Sequence, residues 1–190
     1  MGNAPLVLAS ASPRRQQLLA QVGITPDKIK PANIDETPRK DELPRAYAIR
    51  MGREKAQAVH AAGQFTLAGD TVVSVGRRIL PKAETADEVR DCLNLMSGRA
   101  HHVMTSVTLI GPNGETADRL NDTRVILKRL TGEEIKAYCD SGEGIGKAGG
   151  YGIQGSAGGF VRQISGSYTG IVGLPLFETL SLLRGFGYRL

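Results

Sequence analysis

The stretch Leu6-Val7-Leu8-Ala9-Ser10-Ala11-Ser12-Pro13-Arg14-Arg15-Gln16-Gln17-Leu18-Leu19 reads as a buried strand that turns directly into a helix. Residues 6–9 are a short apolar run of strand length. Small polar residues end it, and Pro13 suits the first helical position, where its missing N–H is no loss. Ser12 is expected as the N-cap, its hydroxyl accepting from a free N–H of the first turn. Leu18, Leu19 and Val22 supply the helix's apolar face. Such a helix start offers unpaired N–H groups and the positive end of a dipole to an anion. Arg14 and Arg15 add two permanent cations where the dipole prefers acids, an unfavourable arrangement that an anionic ligand offsets. From this stretch alone, solvated surface charge explains the two arginines equally well. The site is not a P-loop, because no Gly-rich run ending in Lys-Ser or Lys-Thr occurs.

Composition narrows the partners. A chain of 190 residues, 41% hydrophobic and 23% charged, suits one α/β domain with an ample core. A net charge of +5 and a pI near 9.4 point to acidic partners such as nucleotides, nucleic acid or an anionic surface. Aromatic residues make up only 5% and Trp is absent, so stacking platforms for single-stranded nucleic acid are poorly supplied. Cys92 and Cys139 form no CxxC and have no ligand-spaced neighbours, as expected of reduced thiols in a cytosolic protein. The N-terminal residues lack a basic, apolar leader, and no window has membrane-spanning length. A soluble, cytoplasmic protein is expected.

In chain order, Asp35 and Glu36 pair two acids in a proline-rich stretch that reads as a loop. Residues 43–62 follow as a helix with Ala46, Ile49, Ala56 and Val59 as its apolar positions. Most of its cations read as a solvated face. The next segment, Phe65-Thr66-Leu67-Ala68-Gly69-Asp70-Thr71-Val72-Val73-Ser74-Val75, is β-rich on both sides of Asp70. A charged Asp within an apolar strand is costly unless paired, so a metal, a cation or a catalytic role is expected there. A hairpin return over residues 76–80 comes next, then a helix over 85–96 with Thr85 as N-cap. Residues 100–110 and 117–127 read as an antiparallel hairpin around Gly111-Pro112-Asn113-Gly114. His101 and His102 point to opposite faces of a strand and cannot chelate together, so they read as structural. A helix over 131–141 carries a capping-box pattern, Thr131 to Glu134. Residues 142–159 hold nine glycines, long for a structureless loop, and Tyr151, Ile153 and Gln154 are not linker residues. Residues 160–164 and 171–172 are expected as short strands, and 176–186 as the last helix.

These segments, taken together, resemble one family. Ser10-Ala11-Ser12-Pro13-Arg14-Arg15, Asp35-Glu36, Arg53-Glu54-Lys55-Ala56, Gly69-Asp70-Thr71 and Pro81-Lys82 occur in its order and spacing. So do Ala148-Gly149-Gly150-Tyr151-Gly152-Ile153-Gln154-Gly155 and Gly166-Ser167-Tyr168 with Gly173-Leu174-Pro175. The chain is similar over nearly its whole length to the Maf family of nucleoside triphosphate pyrophosphatases. Asp35 and Gly150 stand where many members carry other residues. The resemblance implies an α/β fold with an elongated, twisted mixed sheet flanked by helices, like that of the inosine triphosphate pyrophosphatases. It implies one Maf-like domain over residues 1–190, with two lobes around a central cleft, and it allows a homodimer. The expected reaction cleaves a nucleoside triphosphate to the monophosphate and pyrophosphate with a divalent cation, Mg²⁺ or alternatively Mn²⁺ or Co²⁺.

Asp70 falls on the family's catalytic acid. Arg14, Thr71 and Gln154 match positions associated with the branch that cleaves dTTP and UTP. Phosphoryl chemistry is mainly positioning and charge neutralisation. Ser10, Arg15, Lys55 and Lys82 are accordingly expected on the phosphates. Glu36 and Asp70 are expected to offer hard oxygen ligands to the cation, with Asp70 as the base for water. Gln154 can match the N3–H and one carbonyl of uracil or thymine together, whereas cytosine reverses two of those partners. Two other classes compete on sequence grounds. A nucleic-acid-binding regulator fits the pI and the family's link to cell division, but has no use for Asp70. A nucleotide sensor that binds without cleaving differs from the enzyme only in turnover.

Overall fold

The β-rich segment around Asp70 and the two arms of the expected hairpin become the three longest strands of one mixed sheet. The computed structural model describes residues 2–190. The strands are β1 (Leu6–Leu8), β2 (Lys28–Ile29), β3 (Phe65–Val75), β4 (Arg78–Leu80), β5 (Ala100–Ile110), β6 (Thr116–Leu127) and β7 (Val161–Ser165). The helices are α1 (Pro13–Gln21), α2 (Pro44–Val59), α3 (Ala86–Met96), α4 (Gly132–Asp140), α5 (Tyr168–Val172) and α6 (Leu176–Gly185). Strand order is β2-β1-β3-β5-β6-β7, parallel among β2, β1 and β3 and antiparallel beyond, with β4 on β3 as well.

The two-residue period of β3 sorts its side chains onto two faces. Ala68 and Val72 face α2, where they meet Ala56 and Val59, and Tyr47, Ala48 and Met51. On the other face Phe65 and Leu67 join Leu6, Leu8, Leu19 and Leu183, while Val73 joins Val89, Leu93, Tyr138 and Tyr151. Two apolar clusters thus occupy opposite ends of the same long strands, and Gly69, Asp70 and Thr71 fall between them. At this point the sheet has a gap. β1 pairs with β3 only at residues 65–67, and β4 pairs with the same edge only at residues 73–75. The Ala9 N–H donates to the Leu67 carbonyl on that edge (2.8 Å). By the two-residue period, Gly69 and Thr71 turn their own backbone groups into the gap, with no backbone partner there among the described residues.

Both capping boxes form as the sequence predicts, Thr85 with Glu88 and Thr131 with Glu134. Other expectations need correction. Ser12 is the N-cap residue of α1, but its side chain caps nothing; the Ser12 N–H instead donates to Ser10 Oγ (3.2 Å). Residues 171–172 are not a strand but the end of α5, begun by Ser167, whose hydroxyl accepts from Gly170 N–H, and stopped by Gly173 at φ +133°. β-branched Ile171 and Val172 are helical because that turn buries them. α2 presents Tyr47, Ala48, Met51, Gly52, Lys55, Ala56 and Val59 inward, so Ala46 is exposed and Ile49 only partly covered. Lys55, a cation within an apolar stripe, hid the true face. The two-residue β2 was not foreseen.

Gly52 lets α2 lie close to β5. A Cβ at residue 52 would sit 2.6 Å from Ser106 Oγ, which donates to the Ala48 carbonyl. Helix propensity favours Ala over Gly by about 1 kcal/mol. Overpacking opposes it, so Gly52→Ala is expected to destabilise the protein by about 1–3 kcal/mol. Urea unfolding checks this; a stabilised variant would show that the helix is free to shift.

Candidate active site

The gap in the sheet opens into a cleft of about 1190 Å³. Ser10, Arg14, Arg15, Glu36, Lys55, Asp70, Thr71, Lys82 and Gln154, far apart in the chain, all line it. Asp70 and Lys55 are both buried, and the Lys55 ammonium donates to Asp70 Oδ1 (2.7 Å) and to Glu36 Oε2 (2.8 Å). The expected cation for Asp70 is therefore supplied from within the chain, by α2. Two of the three ammonium hydrogens are used, leaving one donor. Asp70 Oδ2 and Glu36 Oε1 have no hydrogen-bond partner among the described residues.

Glu36 lies on a loop, and α2 fixes that loop as well. Tyr47 OH donates to the Glu36 carbonyl (2.7 Å), and Arg50 donates to the Thr37 carbonyl (3.2 Å). Arg50 also makes a two-pronged pair with Glu42 (2.7 and 2.6 Å) and reaches Glu54. That pairing pulls the Glu42 carboxyl down to about 2. Burial, reinforced by the charges of Asp70 and Glu36, pushes the Tyr47 hydroxyl up to about 12, so it remains a donor at neutral pH. Tyr47 was missed in the sequence, although it stands two helical turns before Lys55 on the same face.

The Ser10 and Arg15 side chains meet: Arg15 donates through Nη1 to Ser10 Oγ (2.8 Å) and through Nε to the Gly173 carbonyl (2.8 Å). Arg15 thus ties the turn after β1 to the end of α5 and still has unused donors. Burial lowers its pKa, and nearby Asp70 partly restores it. Arg14 lines the cleft with no hydrogen-bond partner among the described residues. Asp70 faces α2, whereas Thr71 points to the opposite face, its hydroxyl 3.1 Å from that of Thr105, which donates to the Gly170 carbonyl. Thr105 is a second residue the sequence did not reveal. Lys82 is exposed and pairs through its backbone with Ala148, which sets the glycine-rich segment across the cleft mouth. Gln154 is exposed near the apex of that segment and makes no hydrogen bond with the described residues.

The segment is held, not loose. Gly149 and Gly150 adopt φ +65° and +68°, and a Cβ at residue 149 would press into Val73 at 2.8 Å. Tyr151 is buried, with its hydroxyl 2.7 Å from His101 Nε2 and the two rings edge to face. His101 and His102 do lie on opposite faces, His101 fully buried and His102 half-buried beside Asp122 (2.7 Å).

An α/β sheet with a crevice at a strand's carboxyl end, lined by cations and two acids, defines a protein that takes in a phosphate-bearing ligand. Within that class the chain belongs to the Maf family, whose description, Maf-like protein, matches residues 5–186. It is 61% identical over 186 residues to the dTTP/UTP pyrophosphatase of Caulobacter vibrioides, covering 97% of this chain and 96% of that one. It is 60% identical over 188 residues to the dTTP/UTP pyrophosphatase of Hyphomonas neptunium, covering 99% and 98%. Among solved structures, the Staphylococcus aureus Ham1 protein matches with a TM-score of 0.50 at 15% identity, covering 96% of this chain and 97% of that one. That likeness concerns the fold, the mixed α/β sheet expected from the resemblance.

His101 provides a pH test of how the glycine-rich segment is anchored. Burial, with a smaller contribution from His102, pulls its pKa from 6.5 down to about 4. The unfolded chain therefore binds the proton first as pH falls, so this contribution is complete above about pH 6.5 and lost on descending to about 4. The expected loss is about 3 kcal/mol. Urea unfolding across that range should show a steeper decline for the wild type than for His101→Phe. Parallel declines would overturn the assignment.

Proposed function

We propose that this chain hydrolyses dTTP and UTP to the nucleoside monophosphate and pyrophosphate by attack of water at the α-phosphorus. The observation that carries this is Asp70, buried in the gap of the sheet and lining the cleft, with one oxygen held by Lys55 and the other without a hydrogen-bond partner among the described residues. The names of relatives 60–61% identical over nearly the whole chain support the same reading.

The acids fit a divalent cation that arrives with its substrate. No cluster of three or more His, Cys, Asp or Glu residues able to hold a metal exists among the described residues. Mg²⁺ needs no such cage; one or two carboxylates with phosphate and water oxygens suffice. Glu36 and Asp70, joined at Lys55, are that donor set. When bound, the cation would acidify a water and neutralise phosphate charge.

The remaining work falls to the chain. Asp70 accepts the proton of the attacking water through its second oxygen. The third hydrogen of Lys55, the unused donors of Arg15, and Lys82 bind phosphate oxygens, which lowers the charge opposing attack. Arg15 is pre-oriented by Ser10 and Gly173, so little freedom is lost on binding. The base lies on the other face of β3, against Thr71, Arg14 and Gln154. Gln154 reads N3–H and one carbonyl, and cytosine leaves those groups mismatched. The buried thiols Cys92 and Cys139, both raised by burial, suit a cytoplasmic setting. No helix among the described residues is long and apolar enough to cross a membrane.

Pyrophosphate release over a panel of nucleoside triphosphates with Mg²⁺ tests the proposal. UTP and dTTP should turn over comparably, and CTP and the purine triphosphates roughly 100-fold more slowly in kcat/KM. Asp70→Asn should lower kcat by about 100-fold or more while remaining folded, as circular dichroism would record. Equal kcat/KM for CTP and UTP would overturn the base assignment. Undiminished turnover by Asp70→Asn would overturn its role as base, and full activity in chelator would remove the cation.

A further inference from the structure

We propose that Glu143, which does not line the cleft, is a positioning residue that sets pyrimidine discrimination by fixing both flanks of Gln154. The inference rests on the assignment of Gln154 as base reader. Gln154 makes no hydrogen bond among the described residues, so its placement depends on the backbone either side of it.

On the near side, the Gly152 N–H donates to Tyr138 OH (3.2 Å), and Tyr138 OH donates to Glu143 Oε1 (3.3 Å). On the far side, Glu143 Oε2 accepts from both the N–H (3.0 Å) and the hydroxyl (2.7 Å) of Ser156. Residues 152 and 156 stand two before and two after Gln154, so one carboxylate closes a clasp around the reader. Gly155 makes room for it: a Cβ there would lie 2.1 Å from Glu143 Oε1. The residue's own backbone is fixed in turn. Its N–H donates to Ser141 Oγ (3.2 Å), and its carbonyl accepts from the Lys147 ammonium. Burial disfavours the Glu143 charge, but the hydrogen bonds from Ser156 and Tyr138 outweigh it, and the carboxyl titrates below its ordinary range. The acceptor is therefore charged at neutral pH, which makes these bonds the stronger kind.

None of these groups reaches Asp70, Lys55 or Glu36, so the clasp acts on recognition and not on water attack. A side chain displaced by about 1 Å loses most of the benefit of a directed hydrogen bond. Glu143→Ala should therefore raise KM for UTP, hold kcat within about twofold, and shrink the UTP-to-CTP ratio of kcat/KM by roughly tenfold. Ser156→Ala, which removes one bond, should shrink the ratio less. Glu143→Gln retains one acceptor oxygen and should restore part of it. All variants are assayed well below their unfolding midpoints, beside Gln154→Ala. A ratio unchanged in Glu143→Ala and Ser156→Ala but collapsed in Gln154→Ala would overturn the clasp and leave the base reading intact. A ratio unchanged in Gln154→Ala would overturn the base reading and the clasp with it. Loss of kcat at constant selectivity would mark Glu143 as merely structural. Should Glu143→Ala not fold, Glu143→Gln and Ser156→Ala decide alone.

Discussion

The ammonium of Lys55 is the constraint around which the site is built. Asp70 is buried in the central strand, where an unpaired carboxylate would be strongly unfavourable. Lys55 removes that penalty only if α2 lies against β3 in one register, which Gly52 permits and Met51 and Val59 secure. Breaking a buried pair of this kind by removing one partner typically costs about 3–5 kcal/mol. The same ammonium also holds Glu36, and Tyr47 and Arg50 on the same helix hold that loop's backbone. One helix therefore places both acids.

The cleft itself follows from strand lengths. β1 and β4 are three residues each and share one edge of an eleven-residue strand, so its middle has no neighbour on that side. The backbone there is left open to a ligand at the place where the parallel and antiparallel parts of the sheet meet. Binding crevices in α/β sheets arise where strand connections diverge in this manner.

Legibility in the sequence tracked the range of the interactions. Both capping boxes were readable because each lies within four residues. Asp70 was readable because a charge interrupting Leu67, Val72 and Val73 is a local anomaly. Ser12 misled because Pro13 fixes the helix start without a side-chain cap. Residues 171–172 misled because β-branching favours strands in isolation, while burial between Ser167 and Gly173 decided for a helix. The face of α2 was obscured by Lys55 itself, since a pattern of apolar residues cannot anticipate that a cation is buried on an acid fifteen positions away. The gap in the sheet and the clasp at Glu143 depend on pairings distant in the chain, which no local pattern encodes.

One feature of β3 bears on how such proteins diversify. Asp70 and Thr71 are consecutive, yet the pleat sends them to opposite sides of the sheet, one toward Lys55 and α2, the other toward Thr105 and α5. On the roles proposed, hydrolysis and base choice are separated by the thickness of a single strand. Substitutions on the Thr71 side can accumulate without disturbing the ion pair that keeps Asp70 in place. On those roles, a change of substrate range needs no change on the face of the strand that holds Asp70 against Lys55.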